Sequence, residues 1–349
     1  MTHLLTGACL SRAGFNRKTA LATLTMVLAA EVPDADILWY FKDPAMGFAH
    51  HRGFTHAFIG VPLDAALALG AAWFYWRFWK SRRLTHDREH VWQAWERPRW
   101  GLLVVLALVA ALSHILLDFT NNYGVRPFFP LSPHWYSWDI VYIIEPVMLT
   151  ALVIGLVGPA LLRLINEEVG STHIRKPGGG GGAIFAMLCI VALWGVRDYE
   201  HRRAVAALES LSYEQEDPLR VSAYPYWINP FEWHGVVETK DFFALVPVRP
   251  AEGEVDPQGR MQIRYKPEET PVTMAAKRSY LGRAFLSWAQ YPMVEVEEHG
   301  DAHVVRMFDL RYVDPNNTSP SRNPRPLGMV VELDRDLNVI DEYPERLTR

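Results

Sequence analysis

The chain has 349 residues, a formal net charge of −4 and an apolar content of 50%. Its mean hydropathy of −0.03 is that of a soluble protein, but this average combines two different halves. Long apolar runs lie within residues 18–196, and residues 197–349 are polar, charged and rich in proline. The absence of a basic excess argues against nucleic acid as a partner. The two cysteines, Cys9 and Cys189, lie far apart in apolar context, so they form neither a disulfide framework nor a Cys-x-x-Cys zinc motif.

The chain begins with two short apolar segments, Thr2–Ser11 and Thr19–Val32, separated by the basic turn Arg12–Lys18. Helices rise about 1.5 Å per residue, so neither segment is long enough to cross a hydrocarbon core of about 30 Å. We therefore predict a re-entrant hairpin with its basic tip toward the cytoplasm, because irregular backbone at membrane depth has to be packed inside protein. A pair of interfacial helices is the alternative.

Four longer apolar runs are predicted to cross the membrane: Ala57–Trp79, Gly101–Phe119, Ile140–Leu162 and Ala183–Val196. The first three have about the 20 residues that a transmembrane helix needs, and the fourth is shorter. Basic residues concentrate in Arg77–Arg99 and Arg163–Gly182. The positive-inside rule puts both of these loops in the cytoplasm, so the chain beyond the fourth span is expected outside.

Beyond Val196 the pattern becomes that of an aqueous domain, with alternating runs that predict strands at 236–246, 261–265, 293–296, 304–312 and 329–333. The segment Thr273–Gln290 predicts a helix. The predicted fold is an all-α membrane bundle, with a re-entrant hairpin and about four transmembrane helices, followed by a small α+β extracytoplasmic domain. The predicted domains are a membrane-embedded domain over residues 1–165, a Gly-rich linker with the last transmembrane helix at 166–199, and the α+β domain over residues 200–349.

Histidine and aspartate residues recur in four separate stretches of the N-terminal third. These are Thr2-His3, Pro33-Asp34-Ala35-Asp36, His50-His51-Arg52-Gly53-Phe54-Thr55-His56 and Ser113-His114-Ile115-Leu116-Leu117-Asp118. The predicted topology brings all four to the outer membrane face. His114 and Asp118 stand at i and i+4 and therefore share one helix face. They end an apolar helix, where ionisable groups are costly without a function or a partner.

Each stretch alone also has an ordinary explanation, as an N-terminal residue, a turn, a headgroup contact or a hydrogen bond at a helix end. Their convergence on one face favours a metal site, and imidazole with carboxylate suits zinc, manganese or iron. The predicted ligands are His3, Asp34, Asp36, His51, His56, His114 and Asp118. Because this set exceeds the three or four ligands of a single zinc ion, we predict one or two divalent ions, with zinc as the first expectation.

The same elements resemble the signature of the bacterial inner-membrane metal-dependent hydrolases, a family that includes LexA-regulated members. The resemblance covers about residues 1–165 and rests on Thr2-His3, Pro33–Asp36, His51–His56 and His114-Ile-Leu-Leu-Asp118-Phe-Thr120. Family members usually carry a serine or a similar residue after the His-Arg-Gly-x-Thr-His element, where this chain has Ala57. The resemblance implies a multi-pass hydrolase of the bacterial inner membrane and names no substrate.

The predicted function is metal-dependent hydrolysis of an ester or phosphodiester at the membrane interface, with a lipid headgroup as the natural substrate class. A divalent ion lowers the pKa of water toward about 7. We expect Asp36 to accept the proton and Arg52 to stabilise charge on the attacked group. Two alternatives stay open. One is a non-catalytic membrane protein with a structural metal site or an ion path, and the other is a membrane-anchored scaffold that binds a partner protein.

Overall fold

The computed structural model describes residues 1–80, 98–168, 180–226, 229, 231–316 and 327–345. The chain divides into two compact units. The helical unit comprises Met1–Ala35, Arg52–Ser132 and Ile144–Gly195, and the α/β unit comprises Asp36–His51, Pro133–Ile143 and Val196–Arg349. The α/β unit therefore includes two segments from the N-terminal half of the chain. The domains predicted from the sequence were contiguous and did not include such segments.

The helices follow one another along the chain with one long 3-10 segment, Val32–Phe41, after the second. They are α1 (Thr2–Arg12), α2 (Ala22–Glu31), α3 (Pro44–His50), α4 (Val61–Tyr75), α5 (Trp100–Thr120), α6 (Pro146–Glu168), α7 (Gly180–Glu209), α8 (Pro271–Arg278) and α9 (Tyr280–Trp288). The short helix α3 and the helices α8 and α9 belong to the α/β unit. Helix α7 begins in the helical unit and ends in the α/β unit.

Helices α1 and α2 form the hairpin that the sequence predicts. The Ser11 and Thr23 hydroxyls lie 2.8 Å apart, and a Cβ atom on Gly7 would lie 2.6 Å from the carbonyl oxygen of Met26. These pairings run in opposite directions along the two helices, so the helices are antiparallel. The glycine lets the two backbones approach closely. The depth of this hairpin in the membrane stays a prediction.

By length and composition, helices α5 and α7 are able to cross a membrane, and a third span results if the bent pair Pro44–His56 and Val61–Phe78 counts as one. The sequence predicts about four spans. The run Ile140–Leu162 accounts for part of the difference, because its helix begins only at Pro146 and its apolar part ends at Leu162. Most of the predicted cytoplasmic loops Arg77–Arg99 and Arg163–Gly182 lies outside the described residues.

Two glycines bring helices α6 and α7 into close contact within the helical unit. A Cβ atom on Gly182 would lie 2.6 Å from the carbonyl oxygen of Gly155, and one on Gly155 would lie 2.5 Å from Cβ of Ala186. Such small-residue contacts allow van der Waals packing between helices in lipid. A Cβ atom on Gly181, one residue earlier, would meet nothing within 4 Å.

Replacing Gly182 with alanine is expected to destabilise the detergent-solubilised protein by about 1–3 kcal/mol, because an overpacked contact forces the two backbones apart. The matched variant Gly181→Ala is expected to leave stability unchanged or to raise it by up to about 1 kcal/mol, since alanine is the better helix former. Thermal unfolding of both variants, followed by circular dichroism, measures the difference. Equal midpoints for the two variants would contradict the close contact.

The α/β unit holds two antiparallel sheets. Their strands are β1 (Arg220–Pro225), β2 (Trp233–Glu238), β3 (Phe242–Arg249), β4 (Glu254–Val255), β5 (Gln262–Tyr265), β6 (Pro292–His299), β7 (Ala302–Asp309), β8 (Met329–Leu333) and β9 (Val339–Pro344). The first sheet has the order β1-β2-β3-β4, with β5 also paired to β3, and the second is the meander β6-β7-β8-β9. The small α+β domain predicted after the helical region is confirmed, and the structure adds that its sheets are antiparallel.

Both faces of the first sheet are buried. Side chains alternate between the two faces along each strand, so residues adjacent in sequence pack into different clusters. Val237 and Ala244 pack with Leu208 near the end of α7. Val236 and Leu245, their neighbours in sequence, pack with residues of the second sheet and the segment before it. The run predicted as one strand at 236–246 is in fact the hairpin of β2 and β3, with a turn at residues 239–241.

The helix predicted at Thr273–Gln290 is two helices, α8 and α9, that meet at Ser279. The Ser279 hydroxyl accepts a hydrogen bond from the backbone N–H of Gly282 and so caps α9. A side chain at Gly282 would collide with the carbonyl oxygen of Ala276, 2.1 Å from the ideal Cβ position. The corner therefore depends on glycine, and apolar periodicity alone did not reveal it.

The loop Pro133–Ile143 contributes a buried carboxyl group to the α/β unit. Asp139 has a φ of +58°, and the indole of its neighbour Trp138 donates a hydrogen bond to Asp198 at 2.9 Å. Burial raises the pKa of the Asp139 carboxyl to about 6, although the Arg311 guanidinium and a hydrogen bond from Ser137 lower it. The carboxyl group thus prefers its neutral form below that pH.

Asparagine at position 139 is expected to stabilise the α/β unit above pH 6. A carboxyl group with a raised pKa binds more protons in the folded state, so its contribution is fully present below about pH 4 and is lost as the pH rises through 6. Asp139→Asn removes this pH-dependent loss of stability, and asparagine tolerates a positive φ. We expect a gain of about 1–3 kcal/mol at pH 8 and none at pH 4.

Temperature-dependent limited proteolysis of the full chain at the two pH values measures this effect. Cleavage at sites within the α/β unit reports on the unfolding of that unit. The exposed Asp336 provides the control variant Asp336→Asn. A gain of the same size at both pH values would show that the carboxyl group does not titrate in this range.

Candidate metal centre

Four separate stretches of the helical unit bring five of the predicted ligands together. Helix α5 carries His114 and Asp118 in its last two turns, and the short turn Phe54–His56 carries His56. All three side chains are fully buried, with exposures of 0 or 1%. His3 lies in the first turn of α1, and Asp34 lies in the 3-10 segment that follows α2.

Three buried donor atoms form the inner group of this cluster: Nε2 of His56, Nε2 of His114 and Oδ2 of Asp118. The two nitrogen atoms are 3.1 Å apart. The Asp118 oxygen lies 3.4 Å from His56 and 3.3 Å from His114. In a tetrahedral site with metal–nitrogen distances of 2.0–2.1 Å, neighbouring ligand atoms are about 3.3–3.4 Å apart. The spacing of this group therefore fits one small divalent ion.

The hydrogen bonds of the two rings determine which nitrogen atoms face inward. His114 Nδ1 lies 2.7 Å from the carbonyl oxygen of Ala30, which only accepts, so Nδ1 carries the proton. Nε2 of the neutral ring then has a lone pair directed at His56. His56 Nδ1 lies 3.2 Å from the Thr55 hydroxyl, which donates as well as accepts, so this contact orients the ring without assigning its proton. The lone pair of His114 Nε2, the His56 ring nitrogen and a carboxylate oxygen converge in a buried site, and a cation between them would satisfy all three.

A second, outer group is formed by His3, Asp34 and His114. The His3 ring stacks on the His114 ring with centroids 3.7 Å apart, and its Nε2 lies 3.4 Å from Asp118 Oδ1. Asp34 Oδ1 lies 3.5 Å from His56 Nε2 and 3.6 Å from His114 Nε2. His114 belongs to both groups but turns only Nε2 inward, and one lone pair ligates one ion. The two groups are therefore alternative sets of ligands for one ion, and a second ion would depend on His3 and the carboxylates.

Asp34 forms the open edge of the cluster, since its side chain is 40% exposed whereas that of Asp118 is 2% exposed. Burial acts to raise the pKa of the Asp34 carboxyl, but the hydrogen bond with His56 and the imidazoles of His114 and His3 hold that pKa below its usual value. The group is therefore an anion at neutral pH and a suitable oxygen ligand for zinc, manganese or iron.

Arg52 lies behind Asp118 and fixes its orientation. Its Nη2 donates to Asp118 Oδ1 at 2.8 Å, and its Nη1 donates to the carbonyl oxygen of Gly124 at 2.7 Å and to Asn121 Oδ1 at 3.2 Å. The guanidinium also lies 4.6 Å from the centre of the Tyr123 ring. With Oδ1 held in this way, Oδ2 of Asp118 is the oxygen turned toward the two imidazoles.

Asn121 contacts the cluster through Asp118, and the sequence analysis missed it. Its amide also donates to Asp118 Oδ1 at 3.3 Å, and its side-chain oxygen accepts from the backbone of Tyr123 at 2.9 Å. The available signal was the polar run Asn121-Asn122-Tyr123-Gly124 that directly follows an apolar helix. Such outer partners orient the ligands of a metal.

Asp36 and His51, the other two predicted ligands, belong to the α/β unit, where they pair with each other. His51 Nδ1 lies 3.3 Å from both carboxylate oxygens of Asp36. The inner and outer groups defined above contain neither residue. Their assignment as ligands, and that of Asp36 as proton acceptor, therefore stay predictions.

Comparison with known proteins relates the whole chain to membrane proteins. The family model described as "YdjM inner membrane protein" matches residues 1–204, and the model "YfhP C-terminal alpha/beta plait domain" matches residues 271–348. "Uncharacterized protein YfhP" of Bacillus subtilis (strain 168) is 24% identical over 355 residues, covering 98% of this chain and 93% of that protein. No solved structure matches the chain significantly.

The first of these matches covers more than half of the chain and includes every stretch that contributes to the cluster. It agrees with the apolar helices α5 and α7, so the membrane localisation predicted from the sequence is confirmed. The side of the membrane on which the α/β unit lies stays a prediction. The resemblance that the sequence analysis drew from the His and Asp elements is confirmed as well. The chain therefore belongs to the YdjM inner membrane protein family.

Proposed function

We propose that the chain is a membrane-bound metal-dependent hydrolase whose centre is built from His3, Asp34, His56, His114 and Asp118. The observation that carries the proposal is the approach of three buried donor atoms to within 3.1–3.4 Å of one another, with the ring orientation of His114 fixed by Ala30. Membership of an inner membrane family supports the proposal, because the resemblance to membrane hydrolases rests on the same residues.

The chain's own contribution to the chemistry is a preorganised set of donors. His114 turns the lone pair of Nε2 inward, His56 turns its Nε2 to within 3.1 Å of that atom, and Asp118 turns Oδ2 inward. When bound, a divalent ion supplies Lewis acidity and makes water a nucleophile near neutral pH. The exposed edge at Asp34 is the side from which a substrate reaches this centre.

The proton acceptor of the proposed reaction stays the residue expected from the sequence, Asp36. Within the α/β unit its carboxylate oxygens lie 3.3 Å from His51 Nδ1.

For Arg52 we propose a role other than the one expected from the sequence, which was to stabilise charge on the substrate. Its Nη1 and Nη2 both donate to protein oxygens. The guanidinium therefore binds Asp118 and the loop that follows α5. We therefore assign Arg52 as a positioning residue of the centre.

The proposed substrate is an ester or phosphodiester of a lipid headgroup. The support for this class is the membrane localisation together with the open edge at Asp34, because a centre in a membrane protein meets its substrate near the lipid–water boundary.

Metal analysis of the detergent-purified protein, combined with a hydrolysis assay, tests the proposed function. We expect bound zinc, manganese or iron, and turnover of chromogenic phosphodiesters or esters that EDTA abolishes and the same metal restores. Bound metal without turnover of either substrate class would favour a structural metal or an ion path. Purified protein without metal, and unable to acquire it, would favour a membrane-anchored scaffold.

A further inference from the structure

The α/β unit exposes a continuous apolar ridge, defined here as residues Ile37, Leu38, Trp39, Tyr40 and Phe41. Ile37, Leu38 and Phe41 are 57%, 64% and 86% exposed, and the two ring residues between them are also exposed. Soluble surfaces scatter such residues singly, and a contiguous set of this kind marks an interaction site. The ridge lies at the end of the 3-10 segment Val32–Phe41.

The ridge is held in place by helix α3, which packs beneath it. The Trp39 ring stacks on His50 with centroids 4.6 Å apart, and the Tyr40 ring covers Gly47, where a Cβ atom would lie 2.3 Å from the ring. These two aromatic residues are therefore anchored. Because side chains three residues apart eclipse in a 3-10 helix, Leu38 and Phe41 form a single row that points away from the anchor.

Helix α3 is in turn attached to the rest of the α/β unit. Phe48 on α3 packs edge-to-face against Trp288 at the end of α9, with ring centroids 5.6 Å apart. The N-cap residue Asp43 accepts a hydrogen bond from Met46 and fixes the start of α3. The ridge is thus a feature of the folded α/β unit rather than a loose connection.

The chemistry of the ridge matches a membrane interface. Trp and Tyr are enriched at the headgroup level, and lysine next to them extends its charge toward water. Here Lys42 follows Phe41 directly, and its Nζ lies 5.8 Å from the centre of the Trp39 ring. Along the chain, the ridge is flanked by the apolar helices α2 and α4 of a membrane protein.

We propose that this ridge inserts into the boundary between headgroups and acyl chains of the bilayer, so that the α/β unit binds the membrane surface through residues 37–42. Leu38 and Phe41 enter the acyl region, Trp39 and Tyr40 lie at the headgroup level, and Lys42 contacts phosphate groups. This gives the α/β unit a lipid-binding surface built from the N-terminal half of the sequence. It explains why that segment folds with the unit.

Site-directed spin labelling of the full chain in lipid nanodiscs tests the proposal. In a Cys9→Ala/Cys189→Ala background, a nitroxide is attached at Leu38→Cys, and separately at Ile340→Cys as a control on the same unit. The two positions have similar exposure, 64% and 58%. We expect the ratio of collisions with oxygen to collisions with a water-soluble nickel chelate to be several-fold higher at position 38, because oxygen concentrates in lipid.

Equal ratios at the two positions would overturn the proposal. Strong immobilisation at position 38, with broadening that depends on protein concentration, would also overturn it and would indicate a second copy of the chain on the ridge. If Leu38→Cys does not fold, Phe41→Cys supplies the same measurement at an 86% exposed position. The measurement needs neither metal nor turnover, so its outcome is separate from that of the proposed function.

Discussion

The variant His114→Ala is expected to purify without metal and without hydrolytic turnover. His114 belongs to both the inner and the outer donor group, so its loss removes a ligand whichever group holds the ion. Changing a residue behind a metal ligand typically weakens binding by about 10–100-fold, and removal of a ligand itself should exceed that. His56→Ala removes a ligand from the inner group only and His3→Ala from the outer group only, so the variant that loses more metal identifies the group that holds the ion.

Inductively coupled plasma mass spectrometry of the purified variants gives the metal content, and circular dichroism shows whether each variant is folded. His114→Ala also leaves the carbonyl oxygen of Ala30 without its partner, at a cost of about 1–3 kcal/mol. The exposed His299 provides the control variant His299→Ala, which should retain metal and turnover. Unchanged metal content in folded His114→Ala protein would rule out the cluster as the metal site.

Local spacing accounts for the portion of this centre that could be predicted. His114 and Asp118 share a face of α5 because they are i and i+4, and a buried pair in an apolar helix needs a partner. The convergence of His3, Asp34 and His56 on that face followed from the predicted topology. The Ala30 and Arg52 contacts determine which carboxylate oxygens and which ring nitrogens face one another. Residue spacing in the sequence does not predict these contacts.

The membrane spans were harder to predict, because hydropathy does not distinguish burial in lipid from burial in protein. Ile140 and Val141 begin an apolar run in the sequence, yet both are buried within the α/β unit, with exposures of 0% and 3%. In contrast, the short run Ala183–Val196 lies in the 30-residue helix α7, which like α5 is long and apolar enough to span a membrane.

The sequence likewise did not indicate that two segments of the N-terminal half fold with the α/β unit. Alternating apolar residues predicted most strands of the α/β unit, because that signal is local. The packing of Phe48 against Trp288 joins residues 240 positions apart and depends on the complete fold. The turn between α8 and α9 was partly predictable. Ser279 and Gly282 are typical capping and corner residues, but their roles are recognised only once the two helices are known.

Replacing Arg52 with methionine is expected to be the most destabilising single change near the metal centre. The guanidinium is buried and joins Asp118 to the loop at Asn121 and Gly124. Methionine keeps much of the volume but removes the cation that pairs with the Asp118 carboxylate and the Arg52 donor of the Gly124 carbonyl oxygen. Removal of one partner from a buried ion pair costs about 3–5 kcal/mol, and we expect a comparable loss in the free energy of unfolding.

The conservative variant Arg52→Lys separates positioning from direct action on the substrate. One ammonium group cannot reproduce both ends of the guanidinium fork, so a positioning role predicts a drop in metal affinity of about 10–100-fold, with turnover restored at high metal concentration. A direct role in stabilising substrate charge predicts normal metal affinity and a lower kcat that added metal does not restore. The surface residue Arg335, paired with Asp301, serves as control, because Arg335→Met should cost no more than about 1 kcal/mol. Since Asp118 Oδ2 faces the imidazoles only while Oδ1 is held, metal affinity is the quantity through which Arg52 has to act.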